Sequence, residues 1–279
     1  MKPARFAYHA PTSAEEAVAL LTEHGGRARL LAGGQALMPL MTSRAVRPGR
    51  IIDLNRTPEL DFVTRTDAGL RIGALTRLRR LEDDRQVRAA APLLAEAAAL
   101  AGPVQVRNRA TLGGALAYAH PAAEYPAVAV ALDARLELRG AGVRHVPAAE
   151  FFLGTHSTAL TGTELLAAVE WPVWPQPVVG AVARVSPRAT GFGLAGAVVV
   201  RGADVGRVVL FGVAPAPVRS AVAEQALAGG ADPAEVAAAA VAGLDPPDTG
   251  GVPGDTRRML ARAAVRRAAA RVRRAESDG

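Results

Sequence analysis

Apolar positions along the chain change their period several times, and each change marks an element. Ala14, Ala17, Val18 and Leu21 recur at helical spacing behind Ser13-Ala14-Glu15-Glu16, which has the form of a capping box. The pattern predicts a helix from there to Gly25-Gly26. A short apolar run at 28–32 reads as a buried strand that stops at Gly33-Gly34, and a short helix limited by Pro39 follows. Another strand is expected at 50–54. Strand, crossover and strand predict a small βαβ-like layer with a ligand at the strand ends.

Alternation on either side of Asp67-Ala68-Gly69 predicts a hairpin within 59–74, after which Thr76 can cap a helix to about residue 83. Alanine-rich residues 92–101 read as a helix closed by Gly102-Pro103, and Pro126 opens another that runs to 133. Strands are expected at 135–139 and 165–170. Trp171-Pro172-Val173-Trp174-Pro175-Gln176-Pro177 breaks regular structure. Beyond it, strands at 180–185, 194–201 and 206–213 and helices at 218–227, 233–242 and 255–274 predict an antiparallel sheet covered on one face. The expected division is therefore 1–56, 57–176 and 177–279, an α+β chain with no internal repeat.

The chemistry concentrates in two glycine loops. Paired glycines after a strand allow positive φ and expose successive N–H groups, a concavity suited to an anion and above all a pyrophosphate. A bare Gly-Gly is usually only a turn. A second loop, Gln105-Val106-Arg107-Asn108-Arg109-Ala110-Thr111-Leu112-Gly113-Gly114, repeats the theme, so two loops could approach one extended diphosphate from two sides. The spacing is not the Rossmann G-x-G-x-x-G. The five histidines form no metal-like spacing, and Ser157, His156 and Asp133 do not resemble a nucleophile elbow.

The loops resemble the A-G-G-Q-S and T-x-G-G signatures of the FAD-binding subunit or domain of the xanthine dehydrogenase and aerobic carbon monoxide dehydrogenase family. The likeness extends to Met1-Lys2-Pro3, Ile52-Asp53-Leu54-Asn55, Ile72-Gly73-Ala74-Leu75-Thr76 and Pro121-Ala122-Ala123-Glu124-Tyr125-Pro126, covering about residues 1–170. It implies a two-part FAD-binding domain of the vanillyl-alcohol-oxidase-like (PCMH-type) fold, followed by a smaller α+β domain. By the same resemblance FAD is held by Leu31, Ala32, Gly33, Gly34, Gln35, Ala36 and Leu37, and by Thr111, Leu112, Gly113, Gly114 and Ala115. In that scheme residues 32–36 and 111–114 supply backbone N–H groups and Thr111 adds a hydroxyl donor. Glu124 matches an acidic position that reaches the adenosine or ribityl end; an exposed helix-start carboxylate is the other reading. Leu160 and Arg188 match positions near the flavin.

Three residues depart from the family pattern. Ala36 stands where a serine is usual, His120 where an aspartate precedes Pro-Ala-Ala, and Gly191 where R-x-x-D-F/Y-A has its acid. Histidine at 120 is either a neutral hydrogen-bonding residue or a point of covalent flavin attachment. These changes bear on flavin affinity and redox tuning, and not on the fold.

Composition narrows the role. Half the 279 residues are apolar and none is cysteine, so no cysteine-ligated iron–sulfur cluster and no thiol nucleophile belongs to this chain. The net charge of +7 is carried by arginine, Lys2 being the only lysine, and concentrates in the last helix. That run reads as a solvated face or a partner-docking surface; without interleaved aromatics it does not point to nucleic acid. No apolar run is long enough to span a membrane and no signal peptide is evident, so the expected location is cytoplasmic. The resemblance then implies an oxidoreductase component without a catalytic acid–base residue. Its partners would be a large molybdenum-cofactor subunit and a small subunit with two 2Fe–2S clusters. A stand-alone flavoprotein and a flavin-free structural subunit are the alternatives.

Overall fold

Three main β-sheets follow one another along the described chain, with a two-stranded hairpin beside the second and helices packed over and between them. The structure is a computed structural model describing residues 2–174, 178–188 and 190–277.

The first sheet is parallel. It is built by β1 (Ala7–His9), α1 (Ala14–His24), β2 (Ala28–Leu31), α2 (Leu37–Thr42) and β3 (Arg50–Asp53), with strand order β1-β3-β2. Ser13 Oγ accepts the Glu16 N–H at 3.1 Å, while the Glu16 carboxylate accepts from the N–H of Thr12, at 2.8 Å, and not from that of Ser13. The capping box thus closes one residue early. Pro39 does not limit α2 but sits in its first turn, where N–H groups have no partner within the helix. Because the strands are parallel, the loops leaving β2 and β3 emerge side by side, and Asn55 Nδ2 ties them by donating to Ala32 O (2.9 Å).

The second sheet is antiparallel. The expected hairpin is β4 (Val63–Thr66) and β5 (Gly69–Gly73). Six helices intervene: α3 (Leu78–Asp83), α4 (Arg85–Ala90), α5 (Pro92–Leu100), α6 (Val104–Arg107), α7 (Leu112–Tyr118) and α8 (Glu124–Ala131). Then come β6 (Arg135–Arg139), β7 (Val143–Pro147), α9 (Ala148–Phe151), the small hairpin β8 (Phe152–Gly154) and β9 (Ser157–Thr158), and β10 (Leu165–Pro172). The last of these enters the middle of the order β4-β5-β10-β6-β7. Its alternating side chains join two cores: Leu166, Val169 and Trp171 face the main cluster, while Leu165 and Ala167 meet Ala14, Leu21 and Ile52. Thr76 is not a helix cap, since its hydroxyl donates to Phe62 O (3.0 Å) and Arg77 occupies the cap position. Helix α8 begins at Glu124, two residues ahead of Pro126, which its first turn accommodates.

The third sheet, β11 (Val178–Val185), β12 (Ala195–Gly202), β13 (Gly206–Phe211) and β14 (Val218–Arg219), is antiparallel in that order. Helices α10 (Ala221–Ala228), α11 (Pro233–Val241) and α12 (Gly254–Ser277) complete the chain. Both sheet faces are covered: Val198, Val200, Val209 and Phe211 join the main cluster, and Ala197, Val199, Val208 and Leu210 meet α11 and α12. The proline-rich 175–177 break lies outside the described residues.

The arginines of α12 are not one solvated face. Arg257 is 8% exposed and donates to Leu194 O, Gly212 O and Thr249 O. Arg271 donates to Val182 O and pairs with Glu96, while Arg258 donates to Leu244 O. Arg262, Arg266, Arg267, Arg273 and Arg274 are exposed. Among the described residues, no helix is long and apolar enough to cross a membrane.

Candidate cofactor-binding site

The loop after β2 forms a wall of a cleft of about 890 Å³, lined also by Met38, Pro39 and Thr42 of α2, by Ser43 that follows it, by Asp53 and Asn55, and by Arg109. The backbone N–H groups of Gly33, Gly34, Gln35 and Ala36 have no acceptor among the described residues. Two glycines make this arrangement possible. Gly34 has φ +75°, and Gly33 lies so close to the Arg109 carbonyl and Ala110 that an added Cβ would overlap them. Only a residue without a Cβ lets the two loops meet there.

Two charged residues, Asp53 and Arg109, line the cleft beside these donors. The Asp53 carboxylate is already occupied, accepting from Tyr8 Oη (2.6 Å) and from the Asn55 N–H (3.0 Å). Burial alone pushes its pKa up, but the hydrogen bonds from Tyr8 and Asn55 and the charge of Arg109 hold it below the ordinary aspartate value. Arg77, the residue that caps α3, donates through Nη2 to Asn55 Oδ1 (2.6 Å) and through Nη1 to Arg109 O. Unpaired N–H groups, paired glycines and a nearby guanidinium fit a diphosphate.

The second loop contributes differently from the expectation. Leu112 N–H donates to Thr76 O (3.0 Å) and Gly113 N–H to Ala74 O (2.8 Å). Gly114 N–H donates to Thr111 Oγ1 (3.1 Å), the N-cap of α7, and Ala115 N–H to Thr111 O. The expected N–H donors at 112–114 are therefore committed inside the fold. What this loop offers is close packing: Gly113 sits on Ala74, and a Cβ on Gly114 would lie 3.9 Å from that of Ala32. Thr111 is buried, and its oxygen already serves as the cap acceptor.

The remaining expected positions fall away from the cleft lining. Glu124 is 2% exposed and paired with Arg184 Nη1 of β11 at 2.6 Å, so the reading as an exposed helix-start carboxylate is overturned. Burial pushes its pKa up, with Arg184 opposing. The His120 ring is stacked between structural elements, facing Phe192 at 3.8 Å with His156 edge-on at 5.5 Å. Its Nδ1 accepts the Ala122 N–H (3.2 Å), which fixes the neutral tautomer with its proton on Nε2. Leu160, half-buried, donates its N–H to Thr158 Oγ1. Arg188 is exposed, and its carbonyl accepts from Ser186 Oγ and from the Gly191 N–H. Ala189 lies outside the described residues.

One ligand-like cluster was not anticipated. Glu137, His145 and Glu170 bring their donor atoms within 4.8 Å on adjacent strands. Arg71 and Arg139 occupy both oxygens of Glu137, so the group is an ion-pair network across the sheet.

A model of the family described as FAD binding domain in molybdopterin dehydrogenase matches residues 4–174. The chain belongs to that family. The carbon monoxide dehydrogenase medium chain of Hydrogenophaga pseudoflava is 43% identical over 225 residues, 78% of each chain. The caffeine dehydrogenase subunit beta of Pseudomonas sp. strain CBB1 is 38% identical over 97% of this chain and 96% of its own. Carbon monoxide dehydrogenase from H. pseudoflava contains a chain that superposes with a TM-score of 0.93 at 38% identity, covering 98% of both. The protein is thus an FAD-binding subunit of the molybdenum hydroxylases, an oxidoreductase component of a multi-subunit dehydrogenase. Its fold is a PCMH-type FAD-binding domain followed by an α+β domain.

The resemblance pointed to the glycine loops but missed the groups that complete the cleft. Asp53 and Asn55 carried a signal, lying at the C-terminal end of a parallel strand where ligands bind. Arg109 carried none, because only the folded chain places it.

Proposed function

We propose that this subunit is the flavin-carrying link of a three-component molybdenum hydroxylase. Residues 32–36, with Leu31 and Leu37 at either end, would hold the FAD diphosphate, and Thr111, Leu112, Gly113, Gly114 and Ala115 would form the facing wall. The observation that carries this reading is the set of four consecutive N–H groups, at 33–36, without an acceptor among the described residues, the first three on residues that line the cleft. Unpaired backbone donors call for a partner, and an anion is the one that a glycine nest favours.

When bound, FAD supplies electron-transfer chemistry that no side chain here possesses. The chain's own part is to bind and orient. His120, Leu160 and Arg188 are proposed to flank the flavin end, where three segments converge: Phe192 on His120, His156 N–H on Ala119 O, and His156 Nδ1 against Tyr118 O. Glu124 takes part indirectly, its carboxylate fixing β11 through Arg184 and not reaching a ribose hydroxyl.

A large partner would hold the molybdenum cofactor and a small one two 2Fe–2S clusters. This chain would relay electrons from the clusters to NAD⁺, a quinone, dioxygen or another oxidant. A cysteine-free chain supports placing the clusters elsewhere. We further propose functional units at 1–56, 57–176 and 177–279, each built around one sheet, and a cytoplasmic location. Gentle purification from the native host tests the assembly. Flavin and iron–sulfur absorption should co-elute with two further chains, whereas a competent flavin-loaded monomer of 28.7 kDa would contradict it.

A further inference from the structure

Arg109 is held fast at its backbone and left free at its side chain. Its N–H donates to Val106 O (3.0 Å), and its carbonyl accepts from Arg77 Nη1 and lies against Gly33. The residue is thereby wedged where the two glycine loops meet. Its side chain lines the cleft that Gly33, Gly34 and Gln35 also line, and its guanidinium has no hydrogen bond or ion pair among the described residues. The carboxylate that could neutralise it, Asp53, is committed to Tyr8 and Asn55. Arg77 adds a second cation: burial chiefly, and then the charge of Arg109, lowers its pKa. The Arg109 guanidinium thus has a second cation beside it and, within its electrostatic reach, one carboxylate already hydrogen-bonded to Tyr8 and Asn55, an arrangement that a bound anion relieves.

We infer that Arg109 supplies the counter-charge for the FAD diphosphate, pairing with a phosphate oxygen in the cleft whose other donors are the N–H groups of residues 33–36. The inference rests on the cofactor site proposed above and adds to it a residue outside both glycine signatures. A guanidinium suits the task because its forked donors match phosphate oxygens. It also offsets the hydroxyl missing at Ala36, since a charged donor replaces a neutral one. The anion site then has a side-chain component that salt screens, beside a backbone component that salt screens less.

The test titrates FAD into the full-length apoprotein by flavin fluorescence at several salt concentrations, for the wild type, Arg109→Gln and Arg109→Lys. Arg109→Gln keeps most of the stem and removes the charge, and it should weaken FAD binding about ten- to hundred-fold. Its affinity should also fall less steeply with salt than that of the wild type. Arg109→Lys should keep the salt dependence and lose less affinity. Melting without FAD should be unchanged in both variants, because the guanidinium makes no bond among the described residues. Wild-type affinity and salt dependence in Arg109→Gln would overturn the inference, as would a lowered melting temperature without FAD, which would give the side chain a structural role. If the wild type itself binds no FAD, the cofactor site fails first and the role of Arg109 falls with it.

Discussion

The imidazole of His120 lies flat on the ring of Phe192, with centroids 3.8 Å apart and planes 8° from parallel. Two positions that depart from, or border a departure from, the family pattern are thus in direct contact. The histidine, expected from the resemblance to be an aspartate, has an aromatic partner more than seventy residues away in the chain. Burial first, and then the charge of His156, lower the His120 pKa from 6.5 to about 4. The ring is neutral at physiological pH.

A pH dependence follows from this shift. Between pH 6.5 and about 4 the unfolded chain binds a proton at residue 120 that the native chain refuses. The contribution of His120 is therefore complete above pH 6.5, declines as pH falls, and levels off below about 4. Thermal melts of wild type and His120→Gln across this range should converge on acidification, with the wild type losing more. Parallel curves would show that His120 is not protected from protonation.

The same geometry argues against a covalent flavin. The Nδ1 atom accepts the Ala122 N–H, and the ring face is covered by Phe192. Acid precipitation of the flavin-loaded protein should leave all flavin in the supernatant. Flavin retained by the washed pellet would show attachment and point to His120.

Glu124 and Arg184 form a buried pair between α8 and β11. Removing the Glu124 carboxylate takes a charge-assisted hydrogen bond and its counter-charge from the buried Arg184 guanidinium, at a cost on the order of 3 kcal/mol. Glu124→Ala should lower the melting temperature by roughly 10 °C. Glu124→Gln, which still accepts a hydrogen bond, should lose much less. Equal losses would mean that packing, and not the charge, holds this site.

Helix α12 offers an internal control on how its charges are read. Arg257→Ala removes donors from three carbonyls and should destabilise by about 2–4 kcal/mol. Arg266→Ala, on the exposed face, should stay within about 0.5 kcal/mol of wild type. Denaturant midpoints compare them directly.

These contrasts show what the sequence could express. The strand, paired glycines and helix at 28–42 were legible because each residue acts locally, and the last helix was legible from its 3.6-residue period. The role of the second loop was not. Whether Leu112 and Gly113 offer their N–H groups to a ligand depends on Thr76 and Ala74, which stand almost forty residues earlier in the chain and meet them only after folding. The same holds for Arg257: its period marks a helix, while its burial depends on carbonyls at 194 and 212. Short helices such as α4 and α6 escaped because four to six residues carry too little period to read.

The central claim, that the N–H groups of residues 33–36 hold FAD, is tested most directly by thermal melts with and without FAD on wild type, Gly34→Val and Gly243→Val. Gly34 and Gly243 have φ of +75° and +71°, so valine strains both backbones alike, but the space around Gly243 is open and far from the cleft in sequence and fold. At a hundredfold excess of FAD over its Kd, a ligand that binds only the folded state adds about 2.7 kcal/mol, raising the melting temperature by roughly 5–10 °C. The wild type and Gly243→Val should show that rise, and Gly34→Val should fold and show almost none. A folded Gly34→Val with the full FAD-dependent rise would contradict the claim.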